Sequence, residues 1–196
     1  MSIIGICGNA RSGKDTMADL IIEVLSDIGV KSSKTAFANE LKKECRDFVM
    51  NTIGIDTFTE KTEEKNIIRP LLVTWGSEVR RKLNPDVWVE KVEKSLIPNQ
   101  VTIISDVRFK NEFNWLRGLD SYCIFVDRVD ENGNQVEPAN DYEKENNDFL
   151  RGNCDFHLTW STVGDGNLKA LKSVVVEVLE KTIDPNKIAQ WTQTFV

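Results

Sequence analysis

The opening stretch "MSIIGICGNARSGKDTMADLIIEVL" constrains the fold more than any other part of the chain. Ser2 to Cys7 is apolar without alternation, which suits a strand buried on both faces. A glycine loop follows from Gly8. Met17, Leu20, Ile21, Val24, Leu25 and Ile28 then recur at helical spacing until Gly29 stops the pattern. Strand, glycine loop and helix in that order begin an α/β architecture.

The remaining chain alternates in the same way, which predicts a mostly parallel sheet. "SKTAF" reads as a short second strand, and Leu41, Cys45, Phe48 and Val49 mark one face of a helix through about residue 52. Residues 53–66 are charged, show no helical face and read as a mobile connection. "RPLLVTWGSEVRRKL" predicts a helix with Leu71 or Leu72, Trp75, Val79 and Leu83 on a common face and Pro70 in its first turn. Asn84 and Pro85 signal the start of another, carrying Trp88, Val92 and Leu96. "VTIIS", "YCIFV" and "CDFHLTW" follow as strands, and Leu168, Leu171, Val175, Val178 and Leu179 give a closing helix. Residues 128–153 are polar and glycine-punctuated, and a connection that long reads as a lid-like loop. The tail "IAQWTQTFV" is apolar enough to dock on the body or on a second subunit, which leaves a homodimer open.

With 196 residues and 40% hydrophobic side chains, the chain has the size of one domain, 1–196, into which 53–97 is inserted as helices. A formal charge of -6 argues against polymeric nucleic acid as the main partner, so any anion must meet a local basic cluster. Cys7, Cys45, Cys123 and Cys154 are widely spaced without a C-x-x-C pair and read as reduced core residues. The start has no basic leader and no apolar run reaches membrane-spanning length, so the expectation is a soluble, cytoplasmic protein.

"GNARSGK" fits G-x-x-x-x-G-K between a strand and a helix. In such a loop the backbone N–H groups of Gly8, Asn9, Ala10, Arg11, Ser12 and Gly13 converge on phosphate oxygens. The helix start adds positive potential, and Lys14 reaches the terminal phosphates. Asp15 stands where Ser or Thr usually follows the lysine. Its carboxylate is either a hard oxygen ligand for Mg²⁺ or a helix-start charge. Thr16 keeps a hydroxyl for an inner phosphate. "VTIISD" delivers Asp106 at a strand end, close to the metal, and Arg108 two residues on is placed for an acceptor phosphate.

Arg69 and Arg80 read equally well as phosphate ligands and as solvated charges, while Arg81 reads as solvated. Arg128, directly after a strand, is the better candidate for charge on the transferring phosphoryl group, and Arg151 fits a surface role as well. His157 reads as structural, and no nucleophile, base and orienter set suggests covalent catalysis.

Taken together, "GNARSGKDTMAD", "RPLLVTWGSEVRRKLNPDVWV" and "SDVRFKNEF" resemble the deoxynucleoside monophosphate kinases of bacteriophages, a branch of the P-loop kinases. Members commonly read G-K-D-T, which accounts for Asp15. The resemblance implies a P-loop kinase three-layer sandwich: a five-stranded parallel sheet with a helical acceptor-binding insertion (53–97) and a lid. It implies transfer of the γ-phosphoryl of ATP to a deoxynucleoside monophosphate with Mg²⁺ in the cytoplasm, the host's if the chain is of phage origin. Gly8 to Thr16 would hold ATP, and Asp15 and Asp106 the metal. Lys14, Asp106 and Arg128 would serve catalysis, and Arg69, Trp75, Gly76, Glu78, Arg80 and Arg108 the acceptor. After residue 128 the likeness weakens to Glu143. Two alternatives stand beside it: a small-metabolite kinase of the phosphomevalonate type, and a regulator that holds ATP without transfer.

Overall fold

The computed structural model describes residues 2–130, 133–134, 141–161 and 168–195. In chain order the elements are β1 (Ser2–Cys7), α1 (Lys14–Asp27), β2 (Ser32–Thr35), α2 (Phe37–Ile53), α3 (Thr62–Val73), a π-helical segment (Thr74–Arg80), α4 (Arg81–Leu83) and α5 (Val87–Ser95). They continue with β3 (Val101–Val107), α6 (Lys110–Arg117), β4 (Ser121–Val129), α7 (Asp141–Asn153), β5 (Phe156–Ser161), α8 (Leu168–Thr182) and α9 (Pro185–Phe195). By contacts the chain divides into one unit of residues 1–35 and 97–196 and a second of 36–96.

The first unit is built on a five-stranded sheet in the order β2-β3-β1-β4-β5, with every neighbouring pair parallel. Ile3, Ile4 and Ile6 of β1 and Ile103 and Ile104 of β3 are fully buried, which is why these strands read as unbroken apolar runs. On one face Met17, Ile21 and Leu25 of α1 pack with Val175, Val178 and Leu179 of α8 against the sheet. Each such side chain contributes about 1.5–3 kcal/mol when fully buried. Ile188 of α9 joins the edge of this cluster, so that part of the tail docks on the body. The chain leaves β1 toward β2 and β3, then crosses to β4 and β5. The C-terminal ends of β1 and β3 therefore flank a topological switch point, where parallel sheets open to ligands. Register between β1 and β3 shifts from Gly5 to Cys7, just before the glycine loop.

The second unit packs Cys45 and Val49 of α2 against Ile68 and Leu72 of α3. Several expectations change here. Strand β2 ends at Thr35 and Phe37 already opens α2, while Phe48 is exposed. Residues 53–66 are not an unstructured connection. Asp56 pairs with Arg46 and accepts the Phe58 N–H at 2.9 Å, and the buried Thr57 hydroxyl donates to the Lys42 carbonyl. From Thr62 the chain is already helical, with Glu63 and Glu64 in the first turn where the helix dipole favours them.

Pro70 lies inside α3, not in a first turn, and removes one backbone donor there. The next turn widens into the π segment, which breaks the 3.6-residue period, and Trp75 and Leu83 fall outside any common buried face. The helix signalled at Asn84 starts at Val87 because Asn84 first makes a turn, accepting the Asp86 N–H on its side chain at 3.0 Å.

In the first unit, residues 141–153 form α7, so the second half of the expected loop is helical. Its inward positions include the amide Asn147 beside Leu150, which hides the helix from an apolar-period search. The first half of that expected loop lies largely outside the described residues, as does the side chain of Glu143. The four cysteines are free thiols: Cys7, Cys45 and Cys123 are buried and Cys154 is half-buried. Burial pushes the Cys7 thiol pKa well up, aided by hydrogen bonds with Cys123 and Cys154. Among the described residues no helix is long and apolar enough to cross a membrane.

Candidate functional site

The loop after β1 has a backbone that ordinary side chains resist. Gly8 sits at φ 136°, Arg11 at 64° and Gly13 at 90°. A Cβ on Gly8 would lie 2.3 Å from the Val126 carbonyl oxygen, so the loop leaves the sheet in contact with β4. Ser12 N–H donates back to the Asn9 carbonyl at 3.2 Å, closing the loop, and Gly13 caps α1. Asn9, Ala10, Ser12 and Lys14 are buried, while Arg11, Asp15 and Thr16 face solvent. The first turn of α1 leaves backbone N–H groups without helical partners, as an anion site requires. Lys14 Nζ donates to the carbonyls of Gly8, at 2.8 Å, and Asn9.

Three side chains that the sequence reading did not connect to this loop hold it from outside. Asn147 of α7 donates its amide N–H to Asn9 Oδ1, Arg128 of β4 donates to the Arg11 carbonyl at 3.1 Å, and Trp160 of β5 donates to the Ser12 carbonyl at 2.7 Å. Arg128 was expected as a catalytic charge, and the structure places it on the glycine loop. Arg151 is tied to Asp127 in a two-pronged ion pair and lies over the Phe125 ring. Burial raises the Asp127 pKa, against the opposing charges of Arg151 and His157. His157 lies exposed beside Phe125.

At the end of β3, Ser105 Oγ donates to Asp15 Oδ1 at 3.1 Å, joining strand to helix start. Asp15 is 82% exposed, with Lys34 Nζ 4.0 Å away and closer to Asp19. Asp106 follows Ser105 directly. The buried Glu112 accepts the backbone N–H groups of both Arg108 and Phe109, at 2.8 and 3.0 Å, fixing the turn that presents the Arg108 side chain. Glu112 belongs to the "SDVRFKNEF" motif, and the structure gives that motif's glutamate its reason.

A cation of the Mg²⁺ type uses one or two carboxylates and completes its shell with water and phosphate oxygen. Asp15, largely accessible and hydrogen-bonded through Ser105 to the strand that carries Asp106, suits that donor set. No group of three metal-ligating side chains occurs among the described residues, and such a site does not need one.

Within the second unit, Glu44 of α2 is a hub that the sequence did not announce. It accepts from Trp75 Nε1 at 2.8 Å and pairs with Arg80 at 2.8 Å and Lys91 at 2.9 Å. Arg80 is thus held by a carboxylate, while Arg69 is exposed and Glu78 pairs with Lys82. Gly76 is buried against Leu41, where a Cβ would come within 2.8 Å, and its carbonyl accepts the Trp88 indole N–H.

Burial alone would raise the Glu44 pKa, but the hydrogen bonds from Lys91 and Trp75 and the charges of Lys91 and Arg80 bring it below the ordinary 4.5. Its stabilisation is therefore complete above that value and lost as pH falls through the lower folded-state pKa. Glu44→Gln is expected to cost about 1 kcal/mol at neutral pH for this partly exposed network. The stability gap from wild type should shrink only in the acid range, as read from urea unfolding between pH 7 and 3. A gap that persists unchanged at pH 3 would contradict this.

A family model described as phosphomevalonate kinase matches residues 6–121. A protein of Acanthamoeba polyphaga mimivirus named "Putative deoxynucleotide monophosphate kinase" is 27% identical over 150 residues, 65% of this chain and 75% of that one. Among solved structures, shikimate kinase from Aquifex aeolicus aligns with a TM-score of 0.46 and 12% identity, covering 91% of this chain and 96% of that one. The Mycobacterium tuberculosis APS kinase in complex with AMPPNP and APS aligns with a TM-score of 0.42 and 14% identity, covering 91% and 97%.

Proposed function

The chain belongs to the phosphomevalonate kinase family, among the P-loop kinases, and from that premise we propose that it transfers the γ-phosphoryl group of ATP to a deoxynucleoside 5'-monophosphate, giving the diphosphate. The observation that supports a nucleotide acceptor is Trp75. Its indole N–H is anchored on Glu44 while the residue stays 38% exposed, which leaves an oriented aromatic face of the kind on which a base stacks for about 1–3 kcal/mol. A phosphorylated isoprenoid precursor has no such face to offer. The mimivirus relative's name points the same way.

In this reading the loop from Gly8 to Thr16 binds the ATP phosphates. Lys14 exchanges the Gly8 and Asn9 carbonyls for phosphate oxygens, so its charge is preorganised beside them. Bound at Asp15 and Asp106, Mg²⁺ would neutralise phosphate charge. Arg128 steadies the loop through the Arg11 carbonyl and is assigned to the transferring phosphoryl group. Arg108, its backbone fixed by Glu112, takes the acceptor phosphate. In the second unit Arg69, Trp75, Gly76, Glu78 and Arg80 are assigned to the acceptor, Gly76 through packing and Arg80 through Glu44. Phosphoryl transfer asks mainly for such alignment and positive charge.

The test is ADP release from ATP and Mg²⁺ with each deoxynucleoside monophosphate, each ribonucleotide and phosphomevalonate added singly. Turnover with one or more nucleotides supports the proposal. Turnover only with phosphomevalonate gives the second reading, which the family model favours. ATP binding without any acceptor-dependent turnover gives the regulator. Arg108→Ala is expected to raise the acceptor KM roughly 10- to 100-fold, the loss of charge-assisted hydrogen bonds, with the ATP KM within about twofold. An equal loss for ATP would remove Arg108 from the acceptor role.

A further inference from the structure

Trp160 lies 148 residues from its hydrogen-bond partner in the glycine loop, and none of the loop's motif residues accounts for it. It occupies the fifth position of β5, paired with Arg128 of β4. Leu158, two residues before it, turns to the same sheet face and is buried in the core shared with α1 and α8, with Trp160 packed at the margin of that core. From there the indole makes two contacts with the loop. Nε1–H donates to the Ser12 carbonyl at 2.7 Å, and the ring lies so close to Gly13 that a Cβ there would stand 2.7 Å from Cζ2 and 3.0 Å from Cε2 and Nε1.

The two contacts bear on one peptide plane. In a trans peptide the carbonyl of Ser12 and the N–H of Gly13 point in opposite directions. Binding the carbonyl from the β5 side therefore directs the Gly13 N–H away from β5, toward the inside of the loop. The ring against Gly13 blocks the peptide from turning back. Gly13, at φ 90°, has no side chain to hold that conformation by itself, and its glycine identity is required twice over, by φ and by the indole.

We propose that Trp160 is a positioning residue of the phosphate loop: it fixes the Ser12–Gly13 peptide so that the Gly13 N–H faces a nucleotide phosphate, and its indole senses the occupancy of the loop. The inference rests on the reading of Gly8 to Thr16 as the ATP phosphate site.

The test compares wild type with Trp160→Phe, which keeps a ring against Gly13 but loses the donor. Trp160→Tyr, which keeps a donor on a smaller ring, is the second variant should the first fail to fold. Mg-ATP affinity is measured by calorimetry, KM and kcat with the best acceptor of the panel, and tryptophan emission during ATP titration. For Trp160→Phe the expected result is ATP binding about five- to tenfold weaker, the worth of one hydrogen bond, with the ATP KM rising in step and kcat changing less than about threefold. Wild-type emission should change on ATP addition and that change should vanish in the variant, although Trp75, Trp88, Trp115 and Trp191 remain. Wild-type ATP affinity in the variant, or an emission change that survives the substitution, overturns the role of Trp160 while leaving the nucleotide site intact. Absence of ATP binding in the wild type overturns the phosphate-site reading itself.

Discussion

Lys14→Ala should lower acceptor-dependent ADP formation by roughly 10²- to 10³-fold, the loss usual for one preorganised donor on developing charge. The effect should appear mainly in kcat, because the side chain faces charge that grows during transfer, while the loop's N–H groups still hold the ground-state phosphates. Structure should survive. Lys14 Nζ makes its described hydrogen bonds to the carbonyls of Gly8 and Asn9, which the loop's own glycine geometry already positions. The thermal midpoint of the variant is therefore expected within a few degrees of wild type, which separates a chemical loss from an unfolded one. Steady-state kinetics at saturating ATP beside a thermal melt decide it. Near-normal kcat in a folded variant would remove Lys14 from the mechanism and with it the transfer reading.

What the sequence showed and what it hid divide along the range of the interactions. The strand of Ser2–Cys7 and the helix after the loop were readable because Ile3, Ile4, Ile6, Met17 and Ile21 are all buried, so local apolar pattern and final environment agree. Helix α7 was not readable, because Asn147 takes an inward position that period analysis reserves for an apolar residue. Asn147 is satisfied there by Asn9, 138 residues away. The π segment misled in a different manner: its wider turn moves Trp75 off the face on which a 3.6-residue period places it.

Among candidate site residues, those of the glycine loop and of the end of β3 were legible from the motifs that carry them. Those that hold the motifs in place were not. Glu112, Asn147 and Trp160 act through one or two hydrogen bonds to backbone or amide groups, and no spacing rule announces such a contact. Glu44 shows the same limit in the second unit: a helical glutamate looks solvated until Trp75, Arg80 and Lys91 are seen converging on it.

Gly8→Ala should give the largest loss of stability of any single-methyl change considered, about 2–5 kcal/mol. Two costs add. A φ of 136° lies outside the regions open to an L side chain, a strain of order 1–3 kcal/mol. The new Cβ would also meet the Val126 carbonyl oxygen at 2.3 Å, and relief requires moving the backbone of β4 or the loop, a further cost of about 1–3 kcal/mol. For a domain of this size that corresponds to a fall in Tm of about 5–15 °C.

Gly54→Ala isolates the first cost. Gly54 has φ 75° at the end of α2 and nothing within 4 Å of its ideal Cβ, so about 1–2 kcal/mol is expected there. Thermal melts of the two variants side by side should show Gly8→Ala clearly the worse. Equal melting shifts would mean that β4 does not brace the loop as the Val126 contact indicates. A larger shift for Gly8→Ala, with ATP affinity falling alongside it, would show that the same contact that shapes the loop also fixes the alignment of its phosphate-binding N–H groups.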